Sequence, residues 1–433
     1  MWGRLAVLAL AALLAACSGG DDEERAARAT GPMHATRAAT TTEAGRGQGS
    51  GLLDALGSLF GGDELTRCVD GVAESSGGER TTTLKAIARE VERLRHLRFK
   101  RVPRPRYLAS GALEKRVRKE FDAYPAAEAE ADGSALVALG ALPRGTNLKA
   151  LLRRALAGQV AGFYDPKTGE LVVGSDAKAR LDPEERITLA HELDHALTDQ
   201  ALVFPGYLDV ERPPQGLEDA ALAGLAVIEG DATLLMQAYA AENLSLGDVF
   251  RSLGSAFGSQ ADFEELPYYV QASSIFPYLE GLGFVCRLYD RGGWRAVDRA
   301  YRKPPTTTAQ VLFPERYFAR ERRLAPPRLR PPGRGWRELD RNAVGAADLL
   351  WLFEAPGGEE SRGLSDARER AAAWAGGELV VWGRGRRRAV TLTLVERRGE
   401  RDLCTSVRAW FRAGGRRGTV RCSGRLIRAN LQP

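Results

Sequence analysis

The sequence predicts an α+β protein with two folded parts, a mostly helical part with a small sheet and a smaller α+β part after it. Three observations lead to this fold class. Apolar residues recur every three or four positions in several segments, which indicates amphipathic helices. Short alternating runs bounded by Gly and Pro indicate strands. Two proline pairs, Pro326-Pro327 and Pro331-Pro332, separate the parts, so we expect domains at residues 63–325 and 335–433.

The N-terminal residues carry an export pattern. Residues 1–4 include a positive charge, residues 5–14 are apolar, and small residues precede Cys17. A transmembrane anchor is the alternative, but a spanning helix needs roughly 20 apolar residues. The pattern resembles a bacterial lipoprotein signal, which implies removal of residues 1–16, lipidation of Cys17 and a lipid anchor in the bacterial cell envelope. Ser18 favours the outer membrane.

Residues 17–62 are rich in Gly, Ser, Thr, Ala and charge. They offer little apolar surface to bury, so we predict a flexible tether between the lipid and the folded part.

The composition argues against a nucleic-acid partner. The chain is 44% hydrophobic and 27% charged, which is typical of a globular protein. Its net charge of +6 comes mostly from Arg in a chain that is also rich in Ala and Gly, which indicates a compositional bias. Besides Cys17, four cysteines lie in a chain predicted to reach an oxidising compartment, and Cys404 with Cys422 is the expected disulfide.

Helix and strand patterns follow one another along the first part. Apolar residues recur at helical spacing over residues 80–99, and further helices are expected over 113–124 and 148–156. Residues 160–164 and 170–173 flank a turn with Pro and Gly, which predicts a hairpin.

The next helix has unusually complete start signals. Asp182 is an N-cap residue, Pro183 stands at the first helical position, and Glu185 follows three residues after the cap. This helix should reach about residue 200, and a second long helix is expected over about 215–241.

The second part begins with helices near residues 343–353 and 364–374. Alternating runs then predict strands at residues 379–382, 390–395, 406–411 and 419–422.

The run His191-Glu192-Leu193-Asp194-His195 lies in the well-capped helix. Two histidines four positions apart project from one helix face, which suits two nitrogen ligands to one zinc ion. The alternative is a helix with buried, hydrogen-bonded histidines. The chain has only four His and two fall in this motif, which favours the metal. Glu192 is placed to act as a general base.

A catalytic zinc needs a third protein ligand. No His follows His195, so we expect a carboxylate. Glu229 is our choice, because it lies amid apolar residues of the next long helix and its charge needs a partner there. Glu218 is the rival, since it lies about three helical turns earlier on the same face, in more polar surroundings.

These residues resemble the gluzincin clan of metallopeptidases, in which a glutamate ligand on a later helix follows an HExxH helix. More narrowly, residues 159–317 are similar to a family of bacterial HExxH proteins. The matched stretches are residues 161–165, 191–200, 229–233, 304–308 and 314–317. The chain departs from the family's pattern at Phe313, which replaces a common His, and at residues 373–377, which lack the usual aspartate.

The resemblance implies a zincin-like fold with the small sheet beside the HExxH helix, zinc as the cofactor, and protein or peptide as the substrate. In that chemistry Glu192 takes a proton from zinc-bound water. It also implies that the hairpin strand above the metal helix pairs with an extended substrate.

Several residues are candidates for supporting roles. Asp199 or Asp231 is expected to accept a hydrogen bond from the second ring nitrogen of a ligand histidine. An oxyanion donor is also expected, and the candidates are Tyr268, Tyr269 and Tyr278.

Two other hypotheses remain open. The chain could be an envelope lipoprotein that binds zinc, or no metal, and keeps the fold without activity. Loss of Glu192 would favour this, and Glu192 is present. In the third hypothesis, the Arg-rich C-terminal domain is a surface-adhesion module.

Overall fold

The computed structural model describes residues 63–73, 83–122, 124–156, 162–174, 181–206, 208–210, 212–244, 265–358, 363–399 and 402–433. The predicted signal, the lipidated Cys17 and the tether lie outside these residues. Within them the protein is a mixed α+β structure, as predicted. No helix of this described part is both long enough and apolar enough to cross a membrane.

Helices dominate the region before the metal motif. They are α1 (Asp63–Ala73), α2 (Leu84–Arg95), α3 (Ser110–Asp122), α4 (Ala126–Ala138) and α5 (Leu148–Leu156). The predicted helix over residues 80–99 is the shorter α2, which ends where His96 adopts a left-handed backbone conformation with φ 57°. No periodic pattern marks α4, because its many alanines form no distinct apolar stripe.

The small sheet has the strand order β1-β3-β2, with β1 (Pro105–Leu108), β2 (Gly162–Asp165) and β3 (Glu170–Gly174). Strands β2 and β3 are antiparallel and pair Gly162 with Val173, which confirms the predicted hairpin. Gly169, at φ 68°, occupies a turn position that favours glycine. Strand β1 runs parallel to β3, so β2 lies at the edge of this described sheet.

Long helices form the centre of the first part. They are α6 (Pro183–Ala201), α7 (Glu218–Asn243) and α8 (Tyr268–Arg302), followed by the short α9 (Thr308–Leu312) and α10 (Pro314–Phe318). The predicted capping box is confirmed, because Asp182 and Glu185 exchange side-chain-to-backbone hydrogen bonds of 2.8 Å. Helices α7 and α8 cross closely: a Cβ on Gly281 would lie 2.3 Å from the carbonyl oxygen of Ala226.

The second part contains a five-stranded antiparallel sheet of order β4-β5-β6-β8-β7. Its elements are β4 (Arg337–Ala343), α11 (Ala346–Glu354), α12 (Ala367–Ala371), β5 (Trp374–Arg384), β6 (Arg387–Glu396), α13 (Leu403–Ala413), β7 (Gly418–Ser423) and β8 (Leu426–Leu431). Three of the four predicted strands fall within β5, β6 and β7. The helix predicted over residues 364–374 is the shorter α12, because Trp374 begins β5.

The strand predicted over residues 406–411 is wrong, because these residues belong to helix α13. Asp402 caps this helix by accepting a hydrogen bond from a backbone N–H of its first turn. Leu403, Val407 and Trp410 bury one helical face. A short alternating run fits a strand or a helix, and here the cap and the three-to-four spacing favour the helix.

The largest hydrophobic cluster includes residues from both predicted domains, such as Phe276 and Trp374. Two disulfides join described residues: Cys404 with Cys422, as predicted, and Cys68 of α1 with Cys286 of α8. The second disulfide ties the first described helix to the helical centre.

Candidate metal centre

Helix α6 presents both motif histidines on one side. Nε2 of His191 and Nε2 of His195 lie 3.0 Å apart, and the two rings are nearly perpendicular at 86°. His191 is fully buried, whereas 11% of the His195 side chain is exposed. The capping box fixes where α6 begins, and the same side of the helix then faces α7.

Helix α7 brings Glu229 to the same point. Oε2 of Glu229 lies 3.3 Å from Nε2 of His191, and Oε1 lies 3.5 Å from Nε2 of His195. The donor atoms of the three residues all lie within 4.8 Å of one another, so the group could hold a metal ion. Glu218 does not join them, because its carboxylate accepts hydrogen bonds from the backbone N–H groups of Gly216 and Ala343, at 2.9 and 2.7 Å.

The spacing of these atoms fits a tetrahedral metal ion. With metal–ligand bonds of roughly 2.0–2.1 Å, neighbouring ligand atoms of a tetrahedral site lie about 3.3 Å apart. The observed separations are 3.0, 3.3 and 3.5 Å. Both carboxylate oxygens of Glu229 are buried and make no hydrogen bond of normal geometry within the described residues. Burying a carboxylate charge without a partner costs free energy. A cation between Glu229 and the two imidazoles would compensate that charge.

The charges of this group are strongly coupled. Burial raises the pKa of Glu229, but the neighbouring His195 and His191 lower it to about 2. Burial lowers the pKa of His195, but the carboxylates of Glu229 and Glu192 raise it to about 9. The carboxylate is therefore ionised, and a cation binding here would displace a proton from the imidazole.

Glu192 lies beside the metal group rather than in it. Its side chain is buried, which raises its pKa, while the charges of His195 and His191 lower it. The backbone N–H of Tyr164, in the edge strand β2, lies near this carboxylate and also lowers its pKa. Strand β2 thus lies beside the candidate base.

Only Tyr278 of the three candidate tyrosines lies at the site. Its ring stacks on that of His191, with centroids 6.2 Å apart and planes at 25°. Burial, together with the charges of Glu229 and Glu192, raises the pKa of Tyr278. Tyr268 and Tyr269 instead donate hydrogen bonds to carboxylates of α11, each at 2.6 Å.

Neither predicted acceptor contacts a ligand histidine. Asp199 accepts a hydrogen bond from the Tyr164 hydroxyl at 2.9 Å, and Asp231 accepts one from Arg95 at 2.9 Å. Asp231 follows Glu229 by two residues, which is about 200° around a helix, so it points away from the metal group. The Nδ1 atoms of His191 and His195 are buried and make no hydrogen bond among the described residues.

Sequence reasoning missed two charged residues next to the site. Asp194 and Arg95 are both fully buried, although one lies between the two histidines and the other ends α2. A signal for Arg95 was present, because it continues the apolar stripe of Ile87 and Val91 at four-residue spacing. A charge on such a stripe indicates a buried ion pair.

Comparison with known proteins gives no match: no family model, no curated protein and no solved structure matches the chain.

Proposed function

We propose that this protein is a zinc-dependent metallopeptidase of the gluzincin type with a zincin-like fold. The observation that carries the proposal is the convergence of His191, His195 and Glu229, with Glu192 beside them. Two histidines and one glutamate form the ligand set of catalytic zinc in thermolysin-like peptidases, where a fourth position stays open.

The residues around the site suit peptide hydrolysis. Bound zinc supplies a Lewis acid that acidifies water and polarises a carbonyl group. Glu192 takes a proton from the attacking water and passes it to the leaving amine, a role that suits a carboxylate whose pKa burial raises. Tyr278 keeps its proton because its pKa is raised, so its hydroxyl can donate a hydrogen bond to an oxyanion.

Strand β2 supports a protein or peptide as the substrate. It lies at the edge of the described sheet and its Tyr164 contacts Glu192, so an extended chain paired with its free edge would pass close to the base. In this proposal the lipoprotein signal leads to a lipidated Cys17 that anchors the enzyme to a bacterial membrane. Ser18, the residue after Cys17, favours the outer membrane. The proposal includes no nucleic-acid partner.

A second candidate function is an inactive metal-binding lipoprotein. The observation in its favour is burial, because His191 and Glu229 are no more than 1% exposed and Glu192 is 2% exposed. A substrate needs access to these atoms, and a structural metal site does not.

The metal content of the purified full chain, kept in detergent, tests the proposal against this alternative. Wild-type protein, Glu229→Ala and Glu218→Ala are compared, and cleavage of a mixed peptide library is followed in parallel. We expect about one zinc per chain, lost only in Glu229→Ala, together with cleavage. Zinc without cleavage supports the inactive lipoprotein, and absence of zinc from the wild type contradicts both.

A further inference from the structure

A second group of charged residues, the Arg95 cluster, lies next to the metal centre. It consists of Arg95, Asp194, Asp231 and Asp298. Nε of Arg95 lies 2.9 Å from Oδ1 of Asp231, and Nη2 lies 2.9 Å from Oδ2 of Asp231 and 2.8 Å from Oδ1 of Asp298. The guanidinium also stacks on Trp294, 4.2 Å from the ring centroid. These contacts join helix α2 to α7 and α8.

Asp194 belongs to this group through charge. Its carboxylate is fully buried, and neither oxygen makes a hydrogen bond among the described residues. Arg95 makes no hydrogen bond or ion pair with Asp194 in the described part of the chain, and the two residues interact only through charge. The guanidinium of Arg95 thus pairs directly with the fully buried carboxylate of Asp231 and with the partly exposed Asp298.

The two buried carboxylates stand next to metal ligands in the chain. Asp194 directly precedes His195, and Asp231 follows Glu229 by two residues. Helix α2 packs against both α6 and α7, so an α2 guanidinium that holds Asp231 also fixes how α7 sits beside α6. The direct bond to Asp231 is bidentate, which sets direction as well as distance.

We propose that Arg95 is a positioning residue of the metal centre, which holds α6 and α7 in the arrangement that lets His195 and Glu229 share one ion. The inference rests on the metal site of the proposed function but not on peptidase activity. Outer residues that orient metal ligands typically change metal affinity about 10–100-fold when they are mutated.

The test is the zinc dissociation constant of the full chain, measured by competition with a chromogenic chelator. Arg95→Gln should raise the zinc dissociation constant about 10–100-fold. Arg95→Lys keeps the positive charge but cannot bind a carboxylate through two nitrogens, so it should raise the constant less. Arg93→Gln is the matched control and should leave it unchanged. Arg93 lies on the same helix, is 32% exposed, and pairs with Glu90 and Glu242.

Circular dichroism and thermal unfolding of the metal-free variants separate positioning from general stability. A folded Arg95→Gln protein with a lower unfolding temperature and an unchanged dissociation constant would overturn the proposal. If Arg95→Gln does not fold, Asp298→Asn tests the proposal instead, because it removes only the partly exposed carboxylate that pairs with Arg95. We then expect zinc binding several-fold weaker, and an unchanged constant again overturns the proposal.

The result also separates this inference from the proposed function. If the wild-type chain binds no zinc, both the positioning role of Arg95 and the proposed peptidase function are wrong. A chain that binds zinc, shows the Arg95 effect and cleaves nothing defeats only the peptidase.

Discussion

At the residue scale, Glu192 is the side chain whose removal should separate chemistry from metal binding. It contacts the backbone N–H of Tyr164 and lies beside the ligands without joining them. Glu192→Gln keeps the size and the acceptor oxygen but cannot take a proton. We expect kcat to fall about 10²–10⁴-fold while zinc content stays at the wild-type level, measured by peptide cleavage and metal analysis of one preparation. A variant that still cleaves at the wild-type rate would show that Glu192 is not the base.

Tyr278 offers a second residue-scale prediction. Tyr278→Phe keeps the ring that stacks on His191 and removes only the hydroxyl group. Since an oxyanion donor acts in the transition state, kcat should fall about 10²–10³-fold with little change in KM. Tyr268→Phe is the matched control, because that hydroxyl donates a hydrogen bond to Glu354 of α11. Equal losses in the two variants would assign the effect to folding.

The residues at the site divide into those that local sequence can predict and those that it cannot. His191, Glu192 and His195 share one helical turn, so their spacing alone places them together. Glu229 could be chosen because a lone charge in an apolar helix needs a partner. Arg95 lies 136 residues from Asp231, and only the packing of α2 against the helical centre brings them together.

At the element scale, the close crossing of α7 and α8 should control the metal site. Gly281 of α8 meets the backbone of Ala226, one turn before Glu229, with no room for a Cβ. Gly281→Ala should force the helices apart, reduce the free energy of unfolding by about 1–3 kcal/mol and weaken zinc binding. Gly283→Ala, on the same helix, is the control, because its Cβ would meet nothing within 4 Å. Urea unfolding and zinc titration of both variants check this, and equal behaviour would contradict it.

Elements that begin or end at a capping residue or a turn glycine could be predicted from the sequence. Elements without such short-range signals could not. The capping box of α6 and the Gly169 turn of the hairpin are short-range signals, and both elements were found. Helix α13 is not predicted, because residues 406–411 alternate in a way that also fits a strand and the cap, Asp402, lies four residues before that run. Strand β4 carries mainly charged and polar residues, so no apolar alternation marks it.

At the scale of the whole molecule, buried carboxylates connect the two predicted domains. Asp219, in the first turn of α7, accepts hydrogen bonds from the backbone N–H and hydroxyl of Thr308, at 3.0 and 2.6 Å. The same hydroxyl accepts a hydrogen bond from the backbone N–H of Ala347, in the second part, at 3.1 Å. Glu218 accepts one from the backbone N–H of Ala343, at the end of β4. Long-range contacts of this kind leave no local pattern, so only the proline pairs indicated where the parts divide. That boundary stays a prediction.

The connection through Asp219 should depend on pH. Burial raises the pKa of Asp219 from 3.8 to about 6, although the hydrogen bonds from Thr308 lower it. A group whose pKa is raised by folding stabilises the protein when protonated. This contribution is therefore complete below pH 3.8 and is lost as the pH rises to about 6. The free energy of unfolding should consequently fall by up to about 3 kcal/mol from this group.

Asp219→Asn tests the sign of this effect. The amide oxygen can keep both bonds from Thr308, and the amide nitrogen replaces Oδ2, which makes no hydrogen bond among the described residues. Without an ionisable group, the variant should lose less stability than the wild type between pH 4 and pH 7, and it should be the more stable protein at neutral pH. Urea unfolding across that range measures both. Parallel curves would show that Asp219 is ionised in the folded protein throughout, and that the connection between the two parts is not linked to its protonation.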